Sequence, residues 1–290
     1  MSRLKTFQLD SEPILVWPRH PARLSSVKGF RVSYSGSGMK YGLHRDKDSS
    51  VKLVGWNSRQ GFDGWRNVFK DLQFKPVGLL KLDELNRNAT DQMICEWVSQ
   101  YGLLGFWPTL NHSIRGRNVI PIYVRAPDSI WCYEPIECIR SAAWRAANVL
   151  ALWEALQDSY KTMGRKSADR IQSVVTVRKD IADSEQAFDQ IYYRVTVKEE
   201  PRSRHPIPTS APAWRRLAYE LLAEYIRDHL RGNLKVGLKV QKQNKDTEAE
   251  DRTVEREPEW NLRPVWHVQS ALTAYYVELL MVMRRFRTCK

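Results

Sequence analysis

Few residues in this chain are spaced to do covalent chemistry. A serine or cysteine nucleophile needs a base beside it and, as a rule, a third group that orients the base. No Gly-x-Ser-x-Gly elbow occurs, and Cys95, Cys132, Cys138 and Cys289 stand in no such setting. Hydrolysis on a metal needs paired ligands such as His-Glu-x-x-His, whereas His20, His44, His112, His205, His229 and His267 are all isolated from one another. No metal site is therefore expected within the chain, and no other cofactor. Asp228 and His229 are adjacent, but neighbours on a helix point in different directions.

Phosphodiester cleavage would need a general base and a cation held near one phosphate. Helical nucleases of the HEPN type carry arginine, then four to six residues, then histidine. Arg263 and His267 are separated by three residues including Pro264, and Arg227 and His229 by one, so neither pair fits. The glycine-rich run GSGMKYG at Gly36 to Gly42 lacks the lysine followed by serine or threonine that a phosphate loop requires. The expectation leans away from an enzyme. A nuclease-type enzyme whose site is assembled from distant residues stays open as the alternative.

Binding chemistry is better supported. The net charge of +13 attracts polyanions, nucleic acid first among them. Arg284, Arg285, Arg287 and Lys290 follow an amphipathic segment and could neutralise phosphates, and Arg215 and Arg216 beside Trp214 repeat the theme on a smaller scale. The same cations could instead complement a helix dipole. His112 with Arg115 and Arg117 reads as a solvated loop, and Trp56, Phe62 and Trp65 as aromatics anchoring a loop to a core.

The elements that must position these residues are mainly helices. Ile136, Ile139, Ala143, Ala146, Leu150 and Trp153 recur at steps of three and four, which predicts a helix over 136–160, with Pro135 at its start and Gly164 as its stop. Three more helices are predicted over 88–101 (capped by Asn88, stopped by Gly102), 213–231 (stopped by Gly232) and 270–286. Alternation predicts strands at 30–34 and 51–55, a possible hairpin, and at 118–124, 130–133, 172–178, 191–198 and 234–241. Residues 201–212 are proline-rich and read as a surface linker, and 241–259 as a mobile loop. The expected fold class is α+β, mostly helical, with short antiparallel strands at one side of a helical core. An irregular, strand-bearing region over 1–87 is expected to precede a core domain over 88–290.

YGLLG (Tyr101 to Gly105), ALWEAL (Ala151 to Leu156) and the closing RRFRTCK resemble a group of uncharacterised bacterial proteins. In these a helix ends in YGLLG, a central helix carries LWEAL, and a last helix leads into a cysteine-rich zinc ribbon. The resemblance implies zinc only if the chain continues past Cys289 into that ribbon, which is absent here. By analogy it implies a nucleic-acid-associated or regulatory role, defence included, and no catalytic residues. Scattered cysteines and the lack of a long apolar run near Met1 lead to a cytoplasmic protein as the expectation, with no membrane partner. An acidic protein partner for the basic face is the third reading.

Overall fold

A computed structural model describes residues 21–34, 40–58, 77–85, 88–108, 123–126, 129–162, 165–179, 193–231, 234–242, 260–268 and 270–288. Within it the apolar stripe that begins at Ile136 is a single helix, α3 (Ile136–Lys161), entered through Pro135 in an extended conformation. Ile136, Ile139, Ala146, Val149 and Leu152 are fully buried. At roughly 1.5–3 kcal/mol for each large apolar side chain removed from water, this burial outweighs any intrinsic helix preference. The helix touches neighbours on several sides: α1 (Val77–Asp83), α2 (Asp91–Tyr101), α4 (Arg165–Gln172) and α5 (Ala211–Leu230). The last helix, α6 (Ala271–Thr288), packs on α1 and α5.

The molecule is α+β with a helical core, as the residue pattern predicts. Local chemistry sets the helix ends. Thr90, not Asn88, caps α2, its hydroxyl accepting from the Met93 N–H, and Gly102 closes the helix at φ 90° while its N–H donates to Val98 O. Ser210 caps α5, with Pro212 in the first turn. Gly164 and Gly232, the other predicted stops, lie outside the described residues.

Two strands, β1 (Arg23–Tyr34) and β2 (Lys40–Ser58), form the predicted hairpin, at greater length than the pattern suggests. Strand β2 also pairs in parallel with β3 (Trp107–Pro108) and antiparallel with β5 (Ser129–Pro135), which in turn pairs with β4 (Tyr123–Ala126). Strand β6 (Val175–Lys179) pairs with β7 (Tyr193–Val197), and β7 with β8 (Glu200–His205). Strand β8 corrects the linker reading over 201–205: its one proline, Pro201, sits on an edge strand, where a missing N–H is tolerated. A two-stranded ribbon joins β9 (Leu234–Lys242) to β10 (Trp260–Val268), an element the residue pattern did not reveal. Residues 243–259 lie outside the described set, as do Phe62, Trp65 and the loop around His112.

Tyr41, Val54 and Trp56 on β2 belong to the same apolar cluster as Ile139, Leu221 and Leu279, so the hairpin shares its core with the helices. Among the described residues no helix is long and apolar enough to cross a membrane.

Candidate functional site

Two buried polar assemblies stand out, one at the start of the central helix and one along it. The first grows from the turn after α2. Leu103 and Leu104 are buried, and Gly105 takes φ 91°, which aims three successive backbone N–H groups at one point. Glu134, at the end of β5 and only 3% exposed, fills that point. Leu104 N donates to its Oε2 at 3.0 Å, and Gly105 N and Phe106 N donate to its Oε1 at 2.5 and 2.9 Å. Burial pushes the Glu134 carboxyl up to about 7, while the three N–H bonds pull it down. Burial, with Glu134 as a second cause, also holds the Tyr41 hydroxyl and the Cys138 thiol in their neutral forms. Leu104 O also accepts from Leu272 N, so the same turn anchors the start of α6. This is an anion cradle whose anion is already supplied by the chain.

The second assembly gathers groups from α3, β8, α5 and α6. Glu200, 4% exposed, accepts from Tyr225 OH at 2.8 Å and from Asn148 Nδ2 at 3.2 Å through Oε2. Its Oε1 faces Arg145 Nε at 3.2 Å and Arg202 Nη2 at 3.6 Å. Arg202 also donates to Asp228 Oδ2 at 3.0 Å and lies 3.3 Å over the Tyr225 ring. Next to this pair, His229 donates from Nδ1 to Tyr225 O at 3.0 Å and stacks on Tyr276 at 3.8 Å. Burial pushes the His229 imidazole down to about 4, and the nearby arginines push the same way. Histidine is therefore neutral at pH 7, and two arginines balance two carboxylates. A neutral base, two cations and a phenol are the parts a phosphodiesterase would use. With His229 only 3% exposed, however, they hold one another and clamp β8 to α3 and α5.

The residues singled out from the sequence lie elsewhere. Arg215 donates from Nε and Nη2 to Ser167 Oγ at 3.1 and 2.7 Å and lies over Tyr160, tying α5 to α4 and α3. Arg216 is exposed and pairs with Glu220 one turn on at 2.9 Å. Arg284, Arg285 and Arg287 fall on the last turns of α6, while Cys289 and Lys290 lie outside the described residues. Cys95 and Cys138 are buried free thiols, Cys95 donating to Ala22 O, and among the described residues no three His, Cys, Asp or Glu groups converge on a metal position.

What residue-by-residue reading missed is where the surplus charge sits. The described strands carry seventeen lysines and arginines against four acidic residues. The six helices carry thirteen against eleven, and some of those pair with one another, as in Arg140–Asp91, Lys161–Asp158 and Arg216–Glu220. The signal was present in the alternation of residues 234–241, where Lys235 and Lys239 fall at the polar positions of the sequence pattern, but it becomes general only once the described strands are known. No family model matches the chain, and it has no match among curated proteins or solved structures.

Proposed function

We propose that this protein binds nucleic acid through the basic faces of its strands, in a regulatory or defence-related role within the cytoplasm. The observation that carries the reading is the separation of charge: the helices come close to neutralising themselves, and the strands do not. Arg23, Lys28, Arg31, Arg45, Lys47 and Lys52 are all exposed on the hairpin, where only Asp46 and Asp48 oppose them. Lys52 is in part engaged, reaching Asp91 at 2.6 Å beside Arg140. Cations on a strand face track a phosphate backbone and release its counterions, so affinity falls steeply with salt. The test is fluorescence anisotropy with labelled DNA and RNA between about 50 and 200 mM salt, a range over which six to ten phosphate contacts change affinity about 10³–10⁵-fold. Binding that is absent, or that ignores salt, overturns the reading. Capture of an acidic protein after nuclease treatment, without nucleic-acid binding, would favour the interaction-module alternative.

One observation favours a second reading, a nuclease-type enzyme: the convergence of Arg145, Glu200, Arg202, Tyr225 and His229 described above. It requires an opening that admits a phosphate to His229. Cleavage of RNA or DNA that disappears in His229→Ala while binding persists would support it; an uncut substrate removes it.

A further inference from the structure

The hairpin β1–β2 changes its alternation partway along and still keeps one face outward. Over its first part Val27 packs against the core and its partner Val51 is buried. The rungs on the other side, Ser26 with Lys52 and Lys28 with Ser50, are exposed. Beyond the register shift Phe30 and Val32 pack against the core, Leu43 opposite Val32 is buried, and Arg31 and Ser33 are exposed. The core side thus passes from odd to even numbers on β1. Gly29 permits the change: it takes φ 81° opposite residues 46–49, which bulge from β2 between the pairs Lys28–Ser50 and Phe30–Arg45. In an unbroken strand Lys28 and Arg31, three residues apart, would fall on opposite faces. The bulge brings them onto one exposed stripe, about 10 Å apart along the strand. None of the paired residues named on that stripe is acidic. Asp46, within the bulge, is occupied by its own turn, Oδ1 accepting from Asp48 N at 3.3 Å and Oδ2 from Ser49 Oγ at 2.8 Å.

We infer that this stripe holds the phosphate backbone of duplex nucleic acid in preference to single strands. The inference rests on the nucleic-acid reading above and narrows it in place and in substrate class. Ammonium, guanidinium and serine hydroxyl groups all donate to phosphate oxygens. Lys52 is engaged with Asp91 at 2.6 Å, so Lys28 and Arg31 carry the charged contacts. Proteins that hold single strands add rings on which bases stack. On this hairpin Phe30, Tyr41 and Trp56 are packed in or against the core. The imidazole of His44, in register with Arg31, is half-buried and joined through Nε2 to Ser33 Oγ at 2.7 Å. Charge therefore decides, and a duplex presents one phosphate per about 1.7 Å of its axis against about 3.4 Å for one of its strands. The cations are also fixed in a sheet, so a stiff duplex meets them without the ordering cost that a flexible strand pays.

The test titrates a labelled duplex of arbitrary sequence, and each of its single strands, across salt with the full chain and with the variant Lys28→Ala/Arg31→Ala. The parent should bind the duplex more tightly than either strand. Each phosphate contact contributes about 0.9 to the slope of log affinity against log salt on a duplex, so the variant should lose about 1.8 from the slope and bind at least about tenfold more weakly at low salt. A control, Arg216→Ala/Arg227→Ala, removes the same charge from α5, where both side chains are exposed, and should keep the slope. Equal or tighter binding to single strands overturns the duplex assignment. An unchanged slope in the hairpin variant, or an equal loss in the α5 variant, overturns the assignment to this stripe. Each of these outcomes leaves nucleic-acid binding itself intact. A parent that binds neither duplex nor single strand overturns the broader reading, and this one with it.

Discussion

Glu134 and Glu200 are the same residue type at nearly equal burial, 3% and 4% exposed, and the molecule accommodates them in opposite ways. Glu134 is held by backbone N–H groups alone, with no cation among its hydrogen-bond partners. Glu200 is held by side chains: two arginines, an asparagine and a tyrosine. Backbone donors are fixed by the turn and carry only partial charge, so the desolvation of Glu134 is incompletely offset and its carboxyl rises to about 7. Arginines bring full charge but must themselves be buried, which makes every member of that cluster depend on the others. One solution is local and modestly charged; the other is distributed and mutually dependent.

The largest effect should come from breaking the distributed solution. Glu200→Ala leaves Arg145 and Arg202 buried without their shared anion, and removing one partner from such a pair costs about 3–5 kcal/mol. Urea denaturation should report that loss as a lower midpoint at unchanged slope. Replacing Glu200 by glutamine keeps an acceptor for Tyr225 and should cost less. A loss under about 1 kcal/mol for the alanine variant would mean that water reaches the arginines and that the cluster is not closed.

Next in size is the pH dependence of the local solution. Glu134 titrates near 4.5 when unfolded and at about 7 when folded, so the native state binds more protons between those values. Stability from this group is fully present below pH 4.5 and falls as pH rises to 7, by roughly 3 kcal/mol in all. His229 runs the other way, from 6.5 down to about 4. There the unfolded chain binds more protons, and stability is lost as pH falls through that window. The two opposed slopes should leave the parent profile almost flat between pH 4.5 and 6.5. The difference between the parent and Glu134→Gln is the informative quantity: relative to the variant, the parent should weaken steadily from pH 5 to 7. A difference that does not change with pH would show that the carboxylate is ionised throughout.

The contrast also explains what was legible from residues alone. Long helices announce themselves, because a buried stripe repeats over many turns, and α3 is found within a residue of its bounds. The seven residues of α1 and the eight of α4 are too few for periodicity to speak. Strand β8 hides behind Pro201, since the rule against proline in sheets applies to central strands and not to edges. YGLLG is visible as a motif and Gly102 as a helix stop. Nothing local, though, connects that turn to Glu134, about thirty residues away and joined through β5. The Glu200 cluster is less legible still, its members running from Arg145 to Tyr276 on four elements. Only a fold brings them together, which is why isolated histidines and arginines in the chain looked unremarkable.

The smallest of these tests asks whether the cradle is as local as it looks. Gly105 sits at φ 91°, where an added side chain strains the backbone, and a Cβ there would lie 2.6 Å from the Cβ of Ser270. Ser270 is itself the cap of α6, its hydroxyl accepting from Thr273 N at 3.1 Å. Gly105→Ala should therefore cost about 1–3 kcal/mol through strain, and the clash should loosen both partners of the turn. If the cradle is local, amide hydrogen exchange should quicken at Leu104, Gly105 and Phe106 and in the first turn of α6, while Asn148, Tyr225 and their neighbours keep their protection. Exchange that quickens equally around Glu200 would mean that the two assemblies open together through α3, and that the molecule treats its buried carboxylates as one cooperative unit.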